Sequence, residues 1–292
     1  MSGDALAATP TRHAAVKALL RHVEPQYRSR CRAVLHGEPF SFSQAWQDWY
    51  TFHNVFSDRL TWGDGTFVDI GANQPTVISN TLFFEKCLGW RGVCFEPQRR
   101  YHAEIARARN CTLVPHCVVG KGESKVGEMR GMHLHQGAGA ERCVDAGEAL
   151  LAAPGGGRVD LLSIDIEGME PQVLRCFPFD TLSVHAILIE TNQLDAREAD
   201  LFFHRHGYVN EQTFIGTNDK KGTFGWLDNL YVKRPRAARY PPTSYRCDDA
   251  ARVHRSAWCG PWVTWGYEPL SRNGMRNGAA HDSKVRFGPC LA

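Results

Sequence analysis

Three observations predict an α/β fold with a mostly parallel sheet and helices on both faces. Short apolar runs at residues 67–70, 92–96, 112–119, 159–164 and 186–190 alternate with helix-like stripes, the pattern of strands joined by crossover helices. Residues 208–214 and 226–232 then follow with no helix between them, which predicts an antiparallel hairpin closing the sheet edge. Carboxylates stand at the ends of several of these strands, where open α/β sheets bind their ligands.

The elements follow in order. Residues 14–23 carry the stripe of a short amphipathic helix, and 41–56 read as an aromatic-rich helical lead-in that caps the ligand side. Phe67-Val68-Asp69-Ile70 breaks at Gly71-Ala72-Asn73, a turn without bulky side chains. A helix over 80–88 stops at Gly89, and Gly92-Val93-Cys94-Phe95-Glu96 makes the second strand. Residues 98–109 place Tyr101 and Ile105 one turn apart, and the third strand spans 112–119 with His116 inside it as a packed core histidine. Residues 120–158 are glycine-rich and predict an irregular, substrate-facing insertion. After the fourth strand a helix opens near Pro171, where proline is tolerated. Asp195-Ala196-Arg197-Glu198 is a capping box for a helix that ends at Gly207. No internal repeat is visible.

Asp69 and Glu96 stand 27 residues apart, about one strand–helix–strand unit. In doubly wound folds an acid at the end of the second strand accepts hydrogen bonds from ribose hydroxyls. Glu96 therefore points to a nucleoside cofactor, either a nicotinamide dinucleotide or S-adenosylmethionine. The dinucleotide fingerprint needs G-x-G-x-x-G, and here Asn73 and Pro75 occupy the later turn positions, which disfavours a pyrophosphate. An ordinary βαβ turn without a ligand stays open as the plain alternative.

The ordered set Phe67-Val68-Asp69-Ile70-Gly71-Ala72-Asn73, Ser79-Asn80-Thr81-Leu82 and Leu88-Gly89-Trp90-Arg91-Gly92-Val93-Cys94-Phe95-Glu96-Pro97 resembles the FkbM family of S-adenosylmethionine-dependent methyltransferases. Ser43-Gln44 and Gln47-Asp48 match upstream, and Asp160-Leu161-Leu162-Ser163-Ile164-Asp165-Ile166-Glu167-Gly168 matches downstream. The resemblance covers residues 40–232 and implies a Rossmann-like class I methyltransferase sheet. It implies cofactor contacts from Gln44, Asp48, Asp69, Gly71, Asn73, Asn80, Glu96 and Val118, and O-methylation of a hydroxyl on a sugar, glycan or glycosylated small molecule. One departure is Gln74-Pro75 where the family has Asp-Gly, which fixes one φ angle beside the methionine part of the cofactor.

Methyl transfer to an alcohol also requires a destination for the hydroxyl proton. Asp165 and Glu167 after the fourth strand, and Glu190 with Asn192 after the fifth, are the candidates for base, substrate hydrogen bonding or oxygen ligation of Mg²⁺ or Mn²⁺. A purely structural reading has Asp165 and Glu167 capping the helix that begins near Met169. Two other classes compete with O-methylation. Methylation of nitrogen in nucleic acid or protein is weakened because Asp165-Ile166-Glu167-Gly168 stands where an Asn/Asp-Pro-Pro-Tyr element would. A degenerate methyltransferase fold serving as a binding module is motivated by Gln74-Pro75.

The 292 residues are 43% hydrophobic and 22% charged, an ordinary globular composition with room for a sizeable core. The net charge of +3 does not argue for nucleic acid, although residues 233–292 hold 11 Lys/Arg against 4 Asp/Glu. That composition divides the chain into a helical extension at 1–40, a catalytic domain at 41–234 and a basic, aromatic tail at 235–292. The tail is open to three readings: a peripheral layer, a disordered extension or a carbohydrate-binding platform. No apolar run approaches a membrane span and the start lacks a signal-like region, so the expected location is the cytoplasm. Of ten cysteines, Cys87, Cys94 and Cys117 fall in helix and strand interiors and are expected as buried free thiols, while Cys247, Cys259 and Cys290 suit a disulfide. No Cys-x-x-Cys occurs, and the His133-x-His135 and His204-x-His206 pairs read as surface histidines without metal.

Overall fold

The computed structural model describes residues 11–130, 132–136, 141–175, 177–217 and 224–234. The tail at 235–292, with its three cysteines, and the turn at 218–223 lie outside the described residues. The chain opens with α1 (Arg12–His22), capped by the Thr11 hydroxyl, and α2 (Pro25–His36). The second helix is not foreseen above. Its signals are Pro25 in the first turn and Gly37 closing the end at φ +80°. α3 (Gln47–Val55) is shorter than the expected 41–56. Residues 41–46 instead form a turn around the buried Asp48 carboxylate, which accepts from Ser41 Oγ, Phe42 N and Ser43 Oγ.

The main sheet contains β1 (Thr66–Ile70), β2 (Arg91–Phe95) and β3 (Thr112–Val114), with α4 (Leu82–Leu88) and α5 (Arg99–Ala108) as crossovers. The expected third strand divides. Pro115 lacks the amide a ladder needs, and β4 (Cys117–Val119) leaves for a second sheet. The described residues of 120–158 are likewise not irregular. β5 (Val126–Arg130), β6 (His133–Gln136) and β7 (Glu141–Asp145) join β4 in the order β4-β7-β5-β6, followed by α6 (Ala146–Leu151) with a complete capping box between Asp145 and Glu148. These strands are short, polar and interrupted by glycine, so no period of two stands out in the sequence.

β8 (Arg158–Ile164), α7 (Glu170–Arg175), β9 (Ser183–Glu190) and α8 (Ala196–Arg205) resume the alternation, and β10 (Tyr208–Thr217) and β11 (Phe224–Lys233) close it. The seven-stranded order is β10-β11-β9-β8-β1-β2-β3, with β11 antiparallel to both neighbours and the other pairings parallel. This is the class I methyltransferase sheet. One face packs on α1 to α4 through a cluster that includes Leu19, Phe52, Phe83, Phe84 and Trp90, and the other packs on α6 to α8 through Leu150, Val173 and Phe203.

The cysteines correct the free-thiol expectation. Cys31–Cys87 ties α2 to α4, Cys94–Cys111 ties β2 to the approach of β3, and Cys117–Cys143 ties β4 to β7. Every described cysteine is bridged. The partners are 56, 17 and 26 residues apart, so no local spacing signals the pairing. No described helix is long and apolar enough to cross a membrane.

Candidate active site

The parallel register brings the carboxyl ends of β1, β2, β8 and β9 to one edge of the sheet. Asp165 N donates to Ile70 O at 3.0 Å, and the amides of Gly71 and Ala72 both donate to Phe95 O, at 3.0 and 3.1 Å. Gly71 adopts φ +88°, and a Cβ there would lie 1.9 Å from the Asp165 carbonyl oxygen. The glycine is thus required by a neighbouring backbone as well as by its own dihedral.

A cavity of about 50 Å³ opens at this edge, bounded by Gly71, Asn73, Glu96, Val118, Asp165 and Glu167 among others. Glu96 is 2% exposed, and its two carboxylate oxygens accept from Asn73 N and Gln98 N, each at 2.7 Å. Burial raises its pKa and those two amides oppose the rise. Each oxygen keeps a lone pair for a ligand hydroxyl. Asn73 Oδ1 is buried at the cavity and accepts no hydrogen bond from the described residues. His116 is not a core residue: at the break between β3 and β4 it borders the cavity, with Nδ1 2.8 Å from Pro115 O.

Several expected contacts sit elsewhere. Asp69 is buried behind the turn, accepting from Thr81 Oγ1 at 2.6 Å and lying 3.7 Å from Arg109. Burial raises its pKa, with Arg109 and Thr81 pulling the other way. Asp48 belongs to the 41–48 turn, and neither it nor Gln44 borders the cavity. Asn80 reaches Ser163 Oγ on β8 at 3.3 Å. The residue that organises this region is one that sequence reasoning missed. Arg109, fully buried at the end of α5, donates to Glu85 (3.0 Å), Thr81 (2.7 Å), Ser79 (3.3 Å) and the carbonyl of Pro75 (3.5 Å). It anchors the β1–α4 loop, including the Gln74-Pro75 departure, from behind.

The second half of the site is a carboxylate cluster. Asp165 follows β8 and is open to the cavity, Glu190 ends β9, and Asp228 on β11 lies buried beside them, held by Gln47 Nε2 at 2.6 Å. Glu170 accepts from Ile166 N (2.8 Å) and Gly168 N (2.9 Å), so it is Glu170 that organises the loop before α7, not Asp165 or Glu167. That loop includes two left-handed residues, Glu167 at φ +55° and Gly168 at φ +102°. Asn192 Nδ2 donates to Glu190. Burial, and then the charges of Asp228 and Glu170, raise Asp165 well above its ordinary value, and burial and then Asp165 raise Glu190 to about 9. Asp165, Glu170 and Glu190 also bring one oxygen each within 4.8 Å of one another, a spacing that suits a hard cation. In the other such group, Glu85 with Cys94 and Cys111, the two sulfurs are already joined.

Burial lifts Asp228 from 3.8 to about 6, against the pull of Gln47. A carboxyl whose folded pKa is raised contributes stability that is complete below its unfolded pKa and is lost as pH rises through the folded one. Asp228→Asn keeps the acceptor for Gln47 and removes the titration. Relative to wild type it is expected to gain roughly 2.4 kcal/mol between pH 4 and 7, at 1.36 kcal/mol per pKa unit. Urea unfolding of both proteins across that range checks this, and a difference that does not change with pH would refute it.

The Methyltransferase FkbM domain matches residues 69–214, half of the chain, from the end of β1 into β10. The chain belongs to the FkbM methyltransferase family. The match contains the cavity-bordering turn, Glu96, Asp165 and Glu190. No curated protein matches this FkbM-family chain. Among solved structures, the FkbM methyltransferase of Methylobacillus flagellatus KT is 17% identical, with 75% of this chain and 58% of that one covered at a TM-score of 0.36. The precorrin-6y C5,15-methyltransferase of Geobacter metallireducens GS-15 is 18% identical, covering 61% and 84% at 0.34. The 1,6-didemethyltoxoflavin-N1-methyltransferase of Burkholderia thailandensis is 12% identical, covering 80% and 99% at 0.38.

Proposed function

We propose that this FkbM-family methyltransferase moves a methyl group from S-adenosylmethionine to a hydroxyl oxygen of a sugar, glycan or glycosylated small molecule. The observation that carries the reading is the close pair of carboxyls at the strand tips, Asp165 and Glu190, with oxygens within 4.8 Å of each other. An alcohol must lose its proton as its oxygen is alkylated, and a carboxylate with a raised pKa is a better acceptor for that proton than an ordinary one. Asp165, open to the cavity, takes the proton, and Glu190 and Asn192 orient it.

The cavity suits an adenosine-bearing cofactor. Glu96 would hold the ribose hydroxyls, Asn73 Oδ1 offers an acceptor to an amino group, and Val118 supplies apolar contact. When bound, the cofactor supplies an electrophilic methyl, and the protein's task is largely positioning, worth ~7–11 kcal/mol when near-attack geometry is held. Removing the charged acceptor in Glu96→Ala is expected to weaken S-adenosylhomocysteine binding roughly 10- to 150-fold, from ~1.5–3 kcal/mol for a charged hydrogen bond. Calorimetry checks this, with circular dichroism to confirm the fold. An affinity within about twofold of wild type removes Glu96 from the site.

Three disulfides favour an oxidising compartment over the expected cytoplasm. Incubation with methyl-labelled S-adenosylmethionine and panels of free sugars, glycans, peptides and RNA tests the acceptor class. Label on a sugar oxygen supports the proposal. Label on nitrogen, or none with any acceptor despite cofactor binding, overturns it.

A further inference from the structure

We infer that the Cys117–Cys143 disulfide is a positioning bridge for the cofactor cavity, so that the site takes its binding form only in the oxidised protein. This rests on the methyltransferase reading of the cavity. Cys117 borders the cavity directly, next to Val118, and its register partner in the parallel β4–β7 pair is Cys143 itself. The bridge therefore fastens the strand that forms the cavity floor to the strand that carries the rest of the small sheet. From β7 the pairing passes to β5 through Val126 with Arg142 and Gly127 with Glu141, and Cys143 N donates to Lys125 O at 2.9 Å beside them. β5 and β6 in turn hold Met129 and Leu134 against the cavity, with Met132 between them.

One other contact ties this wall to the main sheet's site. His133 Nδ1 lies 2.9 Å from Glu167 O, the left-handed residue just past Asp165. A cavity of about 50 Å³ is far smaller than the several hundred Å³ of ordinary ligand pockets, so a nucleoside must displace a wall as it enters. β1, β2 and β8 are hydrogen-bonded on both sides in the main sheet, so the parts that can yield are the loops at Pro97-Gln98 and Ile166–Met169 and the Met129, Met132 and Leu134 wall, which alone is carried by the small sheet. The bridge keeps that wall's base in register when it yields. A wall not held at its base has to be ordered at the expense of binding.

The test is S-adenosylhomocysteine titration of the full chain, purified oxidised, as wild type, as Cys117→Ala with Cys143→Ala, and as Cys31→Ala with Cys87→Ala. Binding by wild type tests the methyltransferase reading separately, and the inference concerns the ratio. The Cys117/Cys143 variant is expected to bind about 10-fold or more weakly and to exchange the amides of residues 126–130 faster, while the Cys31/Cys87 variant stays within about twofold. A bridge that only adds global stability would lower Tm without changing the affinity of the folded protein. That result overturns the inference. If the paired variant does not fold, Cys143→Ala alone, which opens the bridge and keeps the Cys117 side chain at the cavity, is expected to lose affinity about 10-fold, and unchanged binding there overturns the inference as well.

Discussion

Arg109→Met is expected to destabilise the protein by about 3–5 kcal/mol, the usual penalty when one partner of a buried ion pair is removed and the other charge is stranded. Here two buried carboxylates lose the guanidinium: Asp69 at 3.7 Å and Glu85 at 3.0 Å, 7% and 1% exposed in their side chains, of which Glu85 keeps Lys86 at 3.6 Å. Thr81, Ser79 and the carbonyl of Pro75 lose their shared donor with them. In a domain of this size each kcal/mol shifts Tm by ~2–4 °C, so a fall of roughly 10 °C should appear in calorimetry. Adding Glu85→Gln to Arg109→Met is expected to restore part of the loss, since one buried charge disappears. A single variant within about 0.5 kcal/mol of wild type, the range of ordinary surface substitutions, would show that the network carries no such weight.

Asp165→Asn is expected to lower kcat by ~10²–10⁴ with little change in cofactor affinity, the pattern of a proton acceptor that works mainly in the transition state. Among the described residues its side chain accepts no hydrogen bond that would make it a cap, and the neighbouring Glu170 already serves both loop amides. Partial rescue of the variant by added Mg²⁺ or Mn²⁺, together with loss of wild-type turnover in EDTA, would assign the carboxylate to a cation instead. Lower thermal stability with normal turnover of the folded fraction would withdraw the catalytic role.

The strands β1, β2 and β8 of the main sheet are legible to within about one residue because they are covered on both faces. Phe67-Val68 and Val93-Cys94-Phe95 are continuous apolar runs that have no other stable fate. The same logic found Glu96 and the acids after β8 and β9, since strand ends lie where the runs stop. The small sheet was not legible, because Val126 to Gln136 is mostly polar and gains its structure from pairing with β7 rather than from its own pattern. Arg109 was missed for a related reason. A terminal arginine on a helix usually meets solvent, and nothing local says that Glu85 and Asp69, 24 and 40 positions earlier, will surround it. The turn at Gly71 was found for part of its cause: the close approach is made by the Asp165 carbonyl.

The tie between α2 and α4 has a mechanical meaning. Tension applied at the N-terminus reaches Cys31 and passes straight to Cys87, so the 56-residue interval between them, which includes the interior strand β1, is bypassed. Stretched from its ends, the oxidised chain would fall short of the reduced one by about 190 Å from this bridge alone, at ~3.4 Å per residue. β1 is thus shielded from a direct pull along its own backbone, and load entering at the amino end is carried by α4 and the strands that follow it.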